Sequence, residues 1–217
     1  MRIGVPKEIK VHESRVGLTP VAVRELVANG HQVMVQKNAG FQIDLGDYKY
    51  LSAGAEIVET PQEIYANCDL IVKVKEPQPS ELPLLREDQV LFTYLHLAPD
   101  PAQTEGLVNS GCIAIAYETV TDSFGGLPLL SPMSEVAGRM AIQAGAHALE
   151  LDQGGRGMLL GGVSGVPAAR VVIIGGGVVG TNAARIAMGV EAHVTVLDKS
   201  IHRLQKLDSQ YGSRINT

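Results

Sequence analysis

Val171-Val172-Ile173-Ile174-Gly175-Gly176-Gly177-Val178-Val179-Gly180 is the stretch whose reading decides the fold. Four β-branched residues make an apolar run of strand length that stops at three consecutive glycines, the pattern of a buried strand entering a tight turn. The glycines fall as Gly175-x-Gly177-x-x-Gly180, and Val178 to Met188 has helical composition with an Ala-rich face suited to packing on a sheet. In such a turn Gly175 permits the bend, Gly177 lets a pyrophosphate approach the backbone, and Gly180 lets helix and strand pack closely. His193 to Leu197 is then expected as a second strand, delivering Asp198 twenty-three residues after Gly175. A carboxylate at that strand end binds both hydroxyls of an adenosine ribose and repels a 2′-phosphate, so NAD is expected in preference to NADP. A glycine fingerprint by itself also fits a Gly-rich turn in another α/β sheet. The order strand, glycines, helix, strand, acid favours the dinucleotide.

The bulk properties fit a globular α/β enzyme of one large or two small domains: 217 residues, 45% apolar, 19% charged, with 24 glycines. No apolar run approaches the roughly 20 residues that span a bilayer. The N-terminus leads straight into a strand without a signal-peptide pattern, so a cytoplasmic location without membrane contact is expected. A net charge of −5 with no basic run argues against nucleic acid as a partner. Cys68 and Cys112 lie beside or within apolar segments and lack ligand-like spacing, so reduced, buried thiols are expected rather than a disulfide or metal pair.

Upstream of the glycine stretch, strand and helix signals alternate. Arg2 to Val5 reads as a strand, and Thr19 caps a helix with Pro20 in its first turn and Gly30 past its end. Strands follow at His31 to Val35, Asp69 to Val74, Val90 to Leu95 and Cys112 to Ala116, with helices at Asp47 to Ala53, Pro61 to Ala66 and Pro101 to Ser110. Pro128 to Pro132 reads as a connector, and Ser134 as the cap of a long apolar helix expected to be buried between domains. A loop with six glycines, Gln153 to Pro167, separates that helix from Val171. The expected fold class is therefore α/β with two open parallel-sheet domains. Residues 1–130 form a substrate domain, and residues 131–217 form the first part of a Rossmann dinucleotide-binding domain, incomplete because about six strands are needed and roughly two are supplied.

In open parallel sheets ligands sit beyond the C-terminal ends of strands, which singles out polar residues directly after apolar runs. Lys75 follows one such run and His96 another. A lysine there could hold a carboxylate or polarise a carbonyl, and a histidine could move the proton that accompanies hydride transfer. Each could equally be a hydrogen-bonded structural residue. Arg15, in the loop after the first strand, could grip a carboxylate bidentately or form a surface ion pair with Glu13. Lys7 and Glu8 read as a solvated face. Ser134 offers a hydroxyl at a helix N-terminus, a natural phosphate or ribose contact.

Those residues carry a resemblance. Gly4-Val5-Pro6-Lys7-Glu8 with Glu13, Arg15-Val16 and Thr19-Pro20 resembles the N-terminal signature of the alanine dehydrogenase family, which includes the NAD-binding subunit of proton-translocating transhydrogenase; Gly175 through Asp198 resembles its nucleotide signature. Lys73-Val74-Lys75-Glu76-Pro77 and Tyr94-Leu95-His96-Leu97-Ala98 resemble the dehydrogenase branch more than the transhydrogenase branch. The resemblance spans the whole chain and implies reversible, NAD-dependent oxidative deamination of L-alanine to pyruvate and ammonium. It implies that Arg15 and Lys75 bind the substrate, that His96 donates and accepts the proton, and that Ser134, Val178, Val179 and Asp198 contact NAD. Arg203 stands where relatives often have lysine, on the adenosine side. The resemblance also implies a homohexamer. Some relatives bind magnesium through the position of Glu118, but no metal is assigned here because its partner ligand falls outside the chain. A transhydrogenase-like nucleotide-binding subunit and a non-catalytic binding or assembly module remain the alternative readings. The chain alone is expected to be inactive.

Overall fold

The computed structural model describes all 217 residues, which divide into two compact units, Met1–Thr121 and Asp122–Thr217. In the first unit six strands, β1 (Arg2–Val5), β2 (Gln32–Gln36), β3 (Glu56–Val58), β4 (Leu70–Val72), β5 (Val90–Thr93) and β6 (Ile113–Ala116), form one parallel sheet. Their order is β3-β2-β1-β4-β5-β6. Four helices, α1 (Pro20–Ala28), α2 (Asp47–Ser52), α3 (Pro61–Asn67) and α4 (Pro101–Ser110), connect them. The helix starts follow from local chemistry: Thr19, Thr60 and Asp100 each accept a backbone N–H from the first turn, and each is followed by proline. β3 was not foreseen, because three residues are too short for a periodic signal.

Two apolar clusters cover the two faces of this sheet. Ile3, Val5, Val33 and Val35 belong to one, and Ile71 and Leu91 to the other with Ile64 and Tyr65 of α3. Gly4 lies between Ile3 and Val5 and faces the second cluster, where a Cβ would sit 2.9 Å from Cys68 Sγ. Both thiols are unpaired; Cys68 is buried, and burial pushes it up to about 11, whereas Cys112 is only partly covered. The strand order reverses between β1 and β4, which makes their C-terminal ends the crevice where such sheets bind ligands.

The second unit contains α5 (Ser131–Ala148), β7 (Arg170–Ile174), α6 (Val178–Gly189), β8 (His193–Leu197), α7 (Ile201–Tyr211) and β9 (Ile215–Asn216), with parallel strand order β7-β8-β9. The third strand is one more than the sequence suggested. Ala183, Ala184, Ala187, Val194, Val196 and Leu207 make its core. Two expectations about α5 are corrected. It begins at Ser131, because proline is accommodated in a first turn where N–H groups have no partner, so Pro132 lies inside the helix and Ser134 does not cap it. Nor is it a buried helix: only Gly138 and Ile142 are covered, since a narrow stripe of small residues suffices to pack against α6, where a Cβ on Gly138 would overlap the carbonyl of Val179.

The reading of Glu8 as part of a solvated face is also overturned. Lys73, directly after β4, is fully buried, and its ammonium lies 3.1 Å from Glu8 Oε2 and 2.7 Å from Glu81 Oε1. The Tyr65 hydroxyl donates to the same Glu81 oxygen. Glu8 Oε1 accepts the N–H groups of Val74 (2.6 Å) and Lys75 (3.3 Å), and Glu81 Oε2 accepts that of Gln78 (2.8 Å). Desolvation raises the Glu8 carboxyl above its usual range, while Lys73 and the two N–H groups act against it. Removing one member of such a cluster strands the other charges in a dry interior. Lys73→Ala should therefore cost about 3–5 kcal/mol in urea unfolding. Lys37→Ala, which breaks the exposed pair with Glu59, should leave the midpoint where it was. Equal midpoints for the two variants would refute this structural role.

Candidate functional site

The candidate residues at the strand ends of the first unit are each held by an acid: Arg15 by Glu13, Lys75 by Glu8 and His96 by Glu118. Glu13 Oε1 accepts both the backbone N–H and Nε–H of Arg15 at 2.9 Å, and Oε2 accepts Nη2–H at 2.6 Å. This is the ion pair foreseen as the bland alternative, but it is not a surface pair: the Glu13 side chain is 7% exposed and that of Arg15 is 42%. The hydrogen bond from Arg15 holds the Glu13 carboxyl below its usual range, and the charge of Lys75 adds to the effect. Lys75 is half-buried, with its N–H on Glu8 and its carbonyl accepting from Thr93 Oγ1 at 2.9 Å.

On the neighbouring strand end His96 is exposed and adopts φ +49, a left-handed conformation uncommon for residues other than glycine. Glu118 holds that turn. Its carboxylate accepts the N–H groups of His96 (2.8 Å) and Leu95 (3.0 Å). Burial alone would raise the Glu118 carboxyl, but backbone donors from His96, Glu118 itself and Leu95 bring it below the usual range. Tyr94 stacks on the His96 ring, with centroids 6.0 Å apart and planes 11° from parallel, and meets Tyr117 edge-on at 5.0 Å. Burial raises the Tyr94 hydroxyl, and the Arg15 charge opposes the rise. Tyr117 in turn donates its hydroxyl to the carbonyl of Lys73.

The second unit builds a separate cradle. Gly175 has φ +99, which a side chain would make unfavourable, and a Cβ on Gly180 would overlap the carbonyl oxygen of Gly175. Glycine at these two positions is what lets β7 turn tightly into α6. Gly177 caps α6 without any side-chain acceptor, leaving the first-turn N–H groups available to an anion. Ser134, Gly175, Gly177, Val178, Val179 and Gly180 line one cavity of about 730 Å³. Arg203 and Gly177 line a second, of about 420 Å³, with Arg203 Nη1 3.1 Å from where a Gly177 Cβ would stand. Asp198 sits at the end of β8, where its carboxylate accepts the N–H groups of Ser200 (2.8 Å) and Gly176 (2.7 Å). Those two donors hold it below its usual range. The bare loop, the uncapped helix and the acid at the strand end fit a dinucleotide.

Sequence reasoning passed over Glu8, Glu13 as an orienting group, Lys73, Glu81 and Tyr94, and weighed Glu118 only as a metal position of some relatives. A signal existed for two of them. Lys73 interrupts Leu70-Ile71-Val72, and a lysine inside a buried run requires an anionic partner; Glu8 follows β1 closely enough to satisfy the strand-end rule used for Lys75. Glu118 lies twenty-two residues from His96, and only the pairing of β5 with β6 brings them together.

Comparison with known proteins finds relatives along the whole chain. Residues 4–137 match the model for the alanine dehydrogenase/PNT N-terminal domain, and residues 141–217 that for the C-terminal domain. Over all 217 residues the chain is 57% identical to the alanine dehydrogenase of Halomonas elongata, 53% to that of Methanococcus maripaludis and 52% to that of Mycobacterium tuberculosis. It spans 58% of the length of each of these relatives. A solved L-alanine dehydrogenase superposes with a TM-score of 0.90 at 51% identity, covering all of this chain and 60% of that one. A transhydrogenase from Sinorhizobium meliloti superposes at 0.80 with 23% identity, covering 64% of that chain, which shows a shared fold.

The depressed Glu118 carboxyl has a stability consequence. Its folded pKa lies below the unfolded value near 4.5, so its contribution is present above that value and is lost as pH falls through the folded one. Glu118→Gln should be less stable than the unsubstituted chain at pH 7, with the difference shrinking toward zero below about pH 4. Urea midpoints measured from pH 7 to pH 3 check this, and a gap that persists undiminished at pH 3 would contradict it.

Proposed function

The chain belongs to the alanine dehydrogenase/PNT family, and on that premise we propose that it carries the substrate-binding part and the opening of the nucleotide-binding part of an NAD-dependent L-alanine dehydrogenase. The observation that carries the reading is the emergence of Lys75 and His96 after the adjacent, in-register strands β4 and β5. The overall reaction converts L-alanine, water and oxidised cofactor into pyruvate, ammonium, reduced cofactor and a proton. Arg15 and Lys75 fix the carboxylate and the carbonyl end of the substrate by charge. His96 takes a proton from water as it adds to the iminopyruvate carbon and returns one as ammonia leaves. Tyr94 keeps the imidazole plane fixed, and Glu118 keeps its backbone in the required turn.

When bound, the nicotinamide supplies the hydride acceptor. Gly175, Gly177, Val178, Val179 and Gly180 would receive the pyrophosphate, Asp198 the adenosine ribose hydroxyls, Arg203 the adenosine side, and Ser134 a polar edge. The carboxylate of Asp198, ionised at neutral pH, favours NAD over its 2′-phosphorylated form. A homohexamer, as the resemblance implies, and a cytoplasmic location belong to the same proposal. No helix of the chain is long and apolar enough to cross a membrane.

Transhydrogenase-like exchange of hydride between nucleotides is the rival, and Lys75 with His96 speaks against it, since that exchange handles no 2-oxo acid. In a protein of the relatives' full length, His96→Ala should lower alanine-dependent kcat by about 10²–10⁴ while NAD affinity stays within twofold, the range expected for a lost general acid-base. Steady-state kinetics beside fluorescence titration with NADH read the two effects. Near-normal turnover would remove His96 from the mechanism.

A further inference from the structure

Glu13 is an acid set against the arginine proposed to receive the substrate's carboxylate. Its side chain is almost fully covered, it holds Arg15 by the Nε and Nη2 edge, and the Lys75 ammonium acts on it as well. We propose that Glu13 sets the charge of the substrate subsite, so that 2-oxo acids with one carboxylate are accepted and those with two are rejected. This inference rests on the reading of Arg15 and Lys75 as the substrate-binding pair.

The charge balance runs through three side chains. Arg15 and Lys75 supply two positive charges and Glu13 removes one, leaving a single positive charge to meet a single carboxylate. Lys73 adds no cation to this sum, because the two carboxylates of Glu8 and Glu81 outnumber its single charge beneath the site. A second carboxylate on the ligand would find no free cation and would face Glu13 instead, an unpaired like charge that costs affinity. The same contact orients the ligand grip. With the Nε and Nη2 edge fixed on Glu13, the guanidinium plane has one orientation, and a carboxylate meets it already aligned. Neutral-chain 2-oxo acids such as pyruvate therefore fit, and oxaloacetate-like dianions do not.

Oxamate and oxalate test this directly. They have nearly the same size and shape as pyruvate, neither reacts, and they carry one and two negative charges. Calorimetric titration of the 217-residue chain should show tighter binding of oxamate. Glu13→Gln keeps the side-chain shape and an acceptor for Arg15 while adding one net positive charge, and should shift the oxalate-to-oxamate affinity ratio toward oxalate by about tenfold, the factor for one more unit charge acting over roughly 6 Å in a partly hydrated site. Lys75→Gln removes a charge and should shift the ratio the other way. A purely structural role for Glu13 would weaken both ligands together, so an unchanged ratio in Glu13→Gln overturns the proposal. Arg15→Ala should abolish oxamate binding. If it does not, or if the unsubstituted chain binds neither ligand, the substrate reading itself fails and this inference falls with it.

Discussion

The ammonium of Lys73, sealed between the carboxylates of Glu8 and Glu81, is the interaction on which the neighbouring strand ends depend. Glu8 reaches it from the loop after β1, Glu81 from the segment after β4, and Tyr65 closes the cluster from α3. The same two carboxylates accept the N–H groups of Val74, Lys75 and Gln78, so the chain leaving β4 has its backbone fixed at three points. Burying three charges is expensive, and apolar residues of similar volume would satisfy a core as well. What the charges add is direction: a hydrogen-bonded carboxylate fixes where Lys75 starts, and an apolar contact cannot.

A second constraint of the same kind acts at β5. His96 is held in a left-handed turn by the carboxylate of Glu118, so the exposed imidazole stands on a backbone with little freedom. Arg15 is held by Glu13 in the same manner. Each of the three cationic or titratable groups proposed to meet the substrate thus rests on a buried or half-buried acid, Glu13 from Arg15's own loop and Glu8 and Glu118 from distant segments. Such support keeps a site on loops in one geometry. The second unit achieves rigidity by another means: Gly175 takes a positive φ, and the absence of a Cβ at Gly180 lets turn and helix pack at backbone contact distance.

The parallel α/β architecture could be read from apolar runs, proline-marked helix starts and the glycine fingerprint, because those signals are local. Lys75, His96, Arg15 and Asp198 could be found by the rule that ligands meet strand ends. Of their supports, Glu13 could be read beside Arg15, whereas the contacts of Glu8 and Glu118 could not. Glu118 lies far from His96 in sequence, and Glu8 from Lys73, and only the pairing of strands shows that they touch. β3 and β9 were too short to register, and the start of α5 was misplaced because Pro132 was treated as a barrier when it lies in the first turn. Glu8 was misread because a charged residue flanked by Lys7 looks solvated until its burial is seen.

The proposed reaction moves a hydride from the α-carbon of alanine to the nicotinamide. Incubating a protein of the relatives' full length with L-alanine deuterated at that carbon, and analysing the reduced cofactor by mass spectrometry, follows the transferred atom itself. One deuterium should appear in NADH for each pyruvate formed. NADH free of deuterium, or formed at the same rate without alanine, would contradict this account of the chemistry.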